Sequence, residues 1–270
     1  MRLRPATTAL ALCLVVAPAA AHAAPLAAHR AVYEVKLDDA SERSGVKGMD
    51  GRLVYDFDGS ACDGYTVNFR FVTRIQLDQD VRVTDQQMST FEELANPSFQ
   101  FVSRSFTDQR PDREVSGIAN AGDRGVEVEI EGGEATIELE PAVFPTQHLL
   151  DLIEAAKAGE TVYEARVFDG SEEGNRALDT TSVIGDPQTG ADAGDDSGAL
   201  PAEFAGMRYW PVSIAYYSTA QSNGETLPLY RIEMKLYDNG VTRDIAMDYG
   251  EFRLIGELSE IEMRDADPCD

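Results

Sequence analysis

The stretch FPTQHLLDLIEAAKAG, residues 144–159, constrains this chain more than any other. It is the one convincing amphipathic helix, and the segments on either side alternate like β-strands. Leu149, Leu152, Ile153 and Ala156 recur at helical spacing and form one apolar stripe. Thr146 is the expected N-cap, its hydroxyl accepting from a first-turn N–H. Lys157 suits the negative end of the helix dipole, and Gly159 can take the left-handed conformation that stops the helix. With no second helix to pack on, the stripe must be buried against sheet. The helix is therefore expected to join two β halves and to cover an open edge or mouth of a curved sheet.

Before the helix, residues 29–37 and 51–57 alternate, and Tyr65, Val67, Phe69 and Phe71 keep period two while Asn68 and Arg70 face the other way. Residues 86–94, 98–106, 115–121, 126–130 and 135–139 read as further strands, punctuated by Asn96-Pro97, Arg110-Pro111-Asp112 and Gly132-Gly133. After it, 161–168, 180–184, 208–218, 227–237, 241–249 and 252–263 continue the pattern. Pro211 points to an edge or bulge, Asp238-Asn239-Gly240 to a hairpin, and 185–201 to a mobile surface loop. That gives about eight strands and then about six or seven, with short connections and no βαβ rhythm. The chain reads as mainly β: a long antiparallel sheet in two similar halves, strongly curved because open edges invite aggregation. The organisation expected is a leader over 1–23, an N-terminal β half over 24–143, the connecting helix over 144–160 and a C-terminal β half over 161–270.

Arg2 and Arg4, the apolar run ALALCLVV and the Ala21-His22-Ala23 site make 1–23 a cleavable export signal, cut near Ala23. The run is too short to span a bilayer, and Leu12 before Cys13 does not fit a lipid-attachment signal. The mature protein is expected in the periplasm, as a monomer that does not span the membrane. The full sequence has 23 Lys+Arg against 48 Asp+Glu, a net charge of −25, and loss of Arg2 and Arg4 with the leader takes this to −27 (21 − 48). Such a surface repels phosphate backbones and anionic headgroups, so nucleic acid is excluded as a partner, whereas an apolar ligand held inside is not. Without Cys13, the cysteines are Cys62, in a turn, and Cys269. In an oxidising compartment such a pair forms a disulfide; a metal-binding or reactive pair is the alternative.

No constellation identifies a reaction. The histidines beyond the leader are His29 and His148, and HExxH, CxxC, GxSxG and P-loop patterns are missing. His148 falls in the first helical turn, where the dipole favours its neutral form; it could serve as a base toward a nearby serine, or simply pack between helix and sheet. Asp56-Phe57-Asp58-Gly59 with Asp63, and Asp192, Asp195 and Asp196, do not complete a calcium loop. Glu172 and Glu173 are adjacent, whereas glycosidase carboxylates must flank one bond. Tyr209, Trp210, Tyr216 and Tyr217 could line a cleft but sit at core spacing. The reading contains no catalytic residue, no metal and no cofactor.

His29-Arg30-Ala31 with Tyr33-Glu34-Val35, Gly51-Arg52-Leu53-Val54-Tyr55-Asp56-Phe57, Cys62-Asp63-Gly64-Tyr65, Val167-Phe168-Asp169-Gly170 and Leu236-Tyr237-Asp238-Asn239-Gly240-Val241 together resemble the EipB-like cell-envelope integrity proteins of Alphaproteobacteria. The resemblance covers nearly all of the chain after the leader. It implies a periplasmic protein of two abutting spiral-like antiparallel sheets with helices against them, similar to lipoprotein-carrier architecture. It also implies a disulfide joining the halves, matched by Cys62 and Cys269, and an envelope role with no catalytic residue. The resulting expectation is a non-enzymatic protein that binds an apolar ligand (lipid or lipopeptide) or a periplasmic envelope protein. The alternatives are an interaction module with a filled core and an envelope hydrolase using His148.

Overall fold

Every strand read from the alternation is present, but those read from Gly51, Gln86 and Val115 begin five residues earlier, at Val46, Val81 and Arg110, so that Arg110-Pro111-Asp112 opens a strand rather than forming a turn. The computed structural model describes residues 26–171, 173–190, 199–218 and 227–265, so the segment 1–23 expected to be a leader lies outside the described residues. A meander of β1 (His29–Ala40), β2 (Val46–Ser60), β3 (Gly64–Leu77), β4 (Val81–Glu93), β5 (Ser98–Thr107), β6 (Arg110–Gly122), β7 (Gly125–Ile130) and β8 (Ile137–Leu139) precedes helix α1 (Pro145–Ala158). Then follow β9 (Val162–Val167), β10 (Leu178–Ile184), the two-residue β11 (Gln188–Thr189), β12 (Arg208–Ser218), β13 (Tyr230–Tyr237), β14 (Thr242–Asp248) and β15 (Phe252–Met263).

These form one 15-stranded antiparallel sheet in the order β8-β7-β6-β5-β4-β3-β2-β1-β15-β14-β13-β12-β10-β9, with β11 added beside β12. The two halves are thus one sheet, not two abutting ones. They join at the centre, where β1 pairs with β15 along Ala31↔Ile261, Tyr33↔Leu258 and Val35↔Gly256. A register shift between Val32 and Tyr33 bends β1 there.

Laid flat, such a path would be about 60 Å wide at ~4.8 Å per strand. Yet its ends meet. Val143, just past β8, bridges Val167 of β9: the Val143 N–H donates to the Arg166 carbonyl at 2.9 Å and the Phe168 N–H to the Val143 carbonyl at 3.0 Å. Glu140 and Arg166 form an ion pair beside them. The sheet has curled until its edges nearly touch, without a β8–β9 ladder to close it.

The chain after β9 locks this seam. Phe168 is fully buried and makes edge contacts with Phe99, Phe101 and Phe144 at 6.2, 5.7 and 6.3 Å between ring centres. Gly170 follows at φ +68°, where a Cβ would come within 2.5 Å of the Phe101 ring, so that position needs glycine.

Helix α1 lies on the inner face. Leu152, Ile153, Ala155 and Ala156 pack with Phe57 and Tyr65 from the first half and with Ile184, Trp210 and Val212 from the second. Burying each large side chain contributes about 1.5–3 kcal/mol, so the stripe holds both halves at once. The helix starts earlier than the capping reading suggests. Phe144 is the N-cap, Pro145 occupies the first turn, and Thr146 is inside the helix. At the other end Gly159 is left-handed (φ +80°), as read.

Pro211 does not mark a sheet edge, because β12 lies between β10 and β13. It falls in a gap on one side of β12. Pairing with β10 ends at Val212 and pairing with β11 begins at Tyr209, so no ladder N–H is required of it. Nor is 185–201 all surface loop: β11 belongs to it, and Leu200 packs against two apolar clusters. Residues 191–198, with Asp192, Asp195 and Asp196, lie outside the described residues.

Candidate functional site

Because side chains alternate, every second residue of this sheet faces inward, and the inner rows are apolar across both halves. Tyr33, Leu53 and Phe71 sit side by side across β1–β3, and Ile214, Ile232, Met247 and Leu254 across β12–β15. Much of this face is covered by α1 and by the chain after β9. Part of it is not. Tyr55, Phe69 and Met88 are cross-strand neighbours on β2–β4 and remain half-buried, as do Ile232 and Met234 on β13. Tyr55 lies where two apolar clusters meet, one built on α1 and one on β1, β2 and β15. An aromatic row borders the inner face of the second half. Tyr216 stacks on Tyr230 at 4.4 Å, Tyr230 meets Tyr249 at 6.0 Å, and Tyr249 stacks on Phe252 at 5.0 Å.

A buried polar cluster sits where α1 begins. Glu92 of β4, 2% exposed, accepts the Thr146 N–H at 2.7 Å and the Gln147 N–H at 2.8 Å. A carboxylate from the first half thus performs the capping that Phe144 cannot, at the positive end of the helix. Burial raises the Glu92 carboxyl above its ordinary value, opposed by these hydrogen bonds. Sequence reasoning missed this residue because Glu92 lies far from the helix in the chain. Glu92→Gln keeps one acceptor for two N–H groups and should lower stability by about 1–3 kcal/mol at neutral pH. A raised carboxyl stabilises the fold below its unfolded value and loses that contribution as pH rises through its folded value. The wild type should therefore gain on Glu92→Gln in acid, as urea unfolding at several pH values would measure.

His148 is buried at 6% exposure, its Nε2 lying 3.3 Å from the Thr180 hydroxyl and its ring 5.6 Å from Tyr163. Burial pushes it down to about 4, against a smaller opposing pull from Asp151. The partner is a threonine whose hydroxyl also donates to the Ala165 carbonyl, not a serine poised for attack. A histidine depressed this way stabilises the fold fully above its unfolded value near 6.5, and that contribution is lost as pH falls toward 4. On the order of 3 kcal/mol is at stake at ~1.4 kcal/mol per pH unit. His148→Gln should flatten the loss of stability between pH 6.5 and 4, measured by thermal unfolding across that window.

The other residues singled out in the sequence take structural places. His29 is buried, its Nδ1 2.7 Å from the Ala27 carbonyl. Asp56 and Asp58 hold Arg264, at 2.7 and 3.5 Å, and Asp63 accepts from Ser60. Glu173 accepts from Asn175, while Glu172 lies outside the described residues. Tyr209 and Trp210 are core. Cys62 is in the turn between β2 and β3, and Cys269 lies outside the described residues. Among the described residues no group of three or more His, Cys, Asp or Glu is placed to hold a metal ion, and no helix is long and apolar enough to cross a membrane. A groove of about 270 Å³ across β2–β5 is lined by polar residues, Arg70, Gln87 and Arg104 among them, together with Val54, Phe69, Met88 and Val102. Arg70 there is bidentate to Asp85 and Arg104 is paired with Glu114, so its cations are already neutralised.

Comparison with known proteins agrees with this geometry. The EipB-like family model matches residues 20–265. The Cell envelope integrity protein EipB of Brucella abortus (strain 2308) is 43% identical over 251 residues, spanning 92% of this chain and 88% of that protein. A crystal structure from Brucella abortus, described as a beta-barrel-like protein of a domain of unknown function, superposes with a TM-score of 0.84 at 43% identity, covering 89% of this chain and 99% of that one. On these grounds the chain belongs to the EipB-like family.

Proposed function

We propose that this protein works in the periplasm as a non-catalytic contributor to cell-envelope integrity, holding an apolar ligand on the inner face of its sheet. The observation that carries the reading is the incompletely buried inner surface formed by Tyr55, Phe69, Met88 and Ile232, since apolar side chains that a fold leaves half-covered on a concave sheet face can be covered by an apolar ligand. The relative's name supplies the envelope role. Against an enzyme stands the environment of His148, which is held neutral and faces Thr180. Native mass spectrometry of protein purified gently from its own periplasm, followed by organic extraction, tests this: a stoichiometric apolar adduct is expected, and a bare mass from every preparation would replace it with an envelope-protein partner or a filled core.

Three further assignments belong to the same proposal. Export follows cleavage near Ala23, and Leu26, three residues on, is already buried beneath Gly240. The halves are 24–143 and 161–270, joined by 144–160, and the protein acts as a monomer. Cys62 and Cys269 form a disulfide. Support comes from Arg264, which follows β15 and pairs with Asp56 and Asp58 on the strand leading into the Cys62 turn. The five residues from there to Cys269 span up to about 17 Å, enough for the reach.

A further inference from the structure

The tyrosines of the inner face differ in how their hydroxyls are used. Tyr33 donates to the Thr242 carbonyl at 2.7 Å and Tyr163 to Asp151 at 3.2 Å. Tyr55 and Tyr216 make ring contacts, but neither hydroxyl has a hydrogen-bond partner among the described residues. Both rings pack against the cluster built on α1, and both remain half-buried, on inner-face rows that the helix leaves partly open. Each hydroxyl is therefore open to an acceptor brought from outside the protein, while its ring stays packed against the cluster.

Their surroundings select what can satisfy them. Burial pushes both phenols above their ordinary value, so each stays protonated and presents an O–H donor. Acidic groups stand near each. Glu92 acts on Tyr55 and Asp169 on Tyr216, and both push in the same direction as burial. A carboxylate or phosphate placed on either hydroxyl would face a second negative charge in a poorly solvated site, within a molecule of net charge −25. A neutral acceptor meets no such penalty. An ester, amide or hydroxyl oxygen would accept the phenol proton, while its hydrocarbon chain covers Phe69, Met88 and Ile232.

We propose that the ligand of the inner face is a neutral amphiphile, an acyl chain carrying an uncharged hydrogen-bond acceptor that Tyr55 and Tyr216 recognise. This rests on the reading that the inner face takes an apolar ligand, and it adds the chemistry of the head group. The test uses the full mature protein, stripped of bound lipid, in calorimetric titrations with monooleoylglycerol and with oleate, which share a chain and differ in head-group charge. Monooleoylglycerol should bind at least tenfold more tightly than oleate at pH 7.5. Tyr55→Phe, and separately Tyr216→Phe, should weaken monooleoylglycerol about fivefold to tenfold, one lost hydrogen bond, with the unfolding temperature unchanged. Both substitutions should leave the affinity for 1-hexadecene, which has no acceptor, where it was. Oleate binding as tightly as monooleoylglycerol, or both phenylalanine variants binding it like wild type, would overturn the head-group assignment while leaving an apolar-ligand protein. Failure of all three probes to bind would overturn the apolar-ligand reading itself.

Discussion

Replacing Cys269 by serine should lower the unfolding free energy of the oxidised protein by up to about 5 kcal/mol. The proposed bridge from Cys62 would close a loop of roughly 200 residues, and the entropy withheld from an unfolded chain grows with loop length. The native state should bear the bridge without distortion, because Arg264 already sits against Asp56 and Asp58. Urea unfolding of the oxidised protein, the reduced protein and Cys269→Ser makes the comparison. The last two should coincide and fall well below the first. Identical midpoints for all three would show that Cys62 and Cys269 are not bridged to each other. Intact mass gives an independent check, since reduction of a single bridge adds two hydrogens.

Phe168→Ala should cost about 3–5 kcal/mol, the range for emptying a fully buried aromatic site. Phe168 touches Phe99, Phe101 and Phe144, so the cavity would open where the two ends of the sheet are held together. The loss should be uneven across the molecule. Amide exchange should quicken in β7, β8 and β9, next to the seam, while β1 and β15 at the centre keep their protection relative to the new global stability. Phe168→Leu, which refills most of the volume, should recover more than half of the loss. An alanine variant within 1 kcal/mol of wild type in urea would show that the seam is held elsewhere.

Much of the fold was legible because antiparallel sheet is a local code. Tyr65, Val67, Phe69 and Phe71 announce both a strand and its buried face, and β12 and β15 start and stop where alternation does. Asp238-Asn239-Gly240 gives its hairpin outright, with Gly240 at φ +86°. What could not be read was set by partners distant in sequence. Thr146 looked like the cap because a hydroxyl near a helix start normally is one; Glu92, arriving from β4, occupies that place instead. Pro211 looked like an edge or a bulge, and the change of neighbour from β10 to β11 beside it, which rules out the edge, has no sequence signal. The candidate site divides the same way. Alternation assigns Tyr55 and Tyr216 to the inner face, but only the packing of α1 decides which inner residues stay accessible.

The joining of the halves through β1 and β15 has a consequence in time. Ala31 finds its partner at Ile261, so the middle of the sheet pairs strands that leave any N-to-C process at its beginning and at its end. Whether the chain comes off a ribosome or through a narrow pore, β2 to β8 can zip onto β1 early, as neighbours in a meander. The far edge of β1 then waits, a bare row of donors and acceptors, until almost everything else has emerged. Such an edge must be shielded from other chains in the meantime. Closing a contact this remote is also slow. For this architecture, the vulnerable interval is the wait for its last strand.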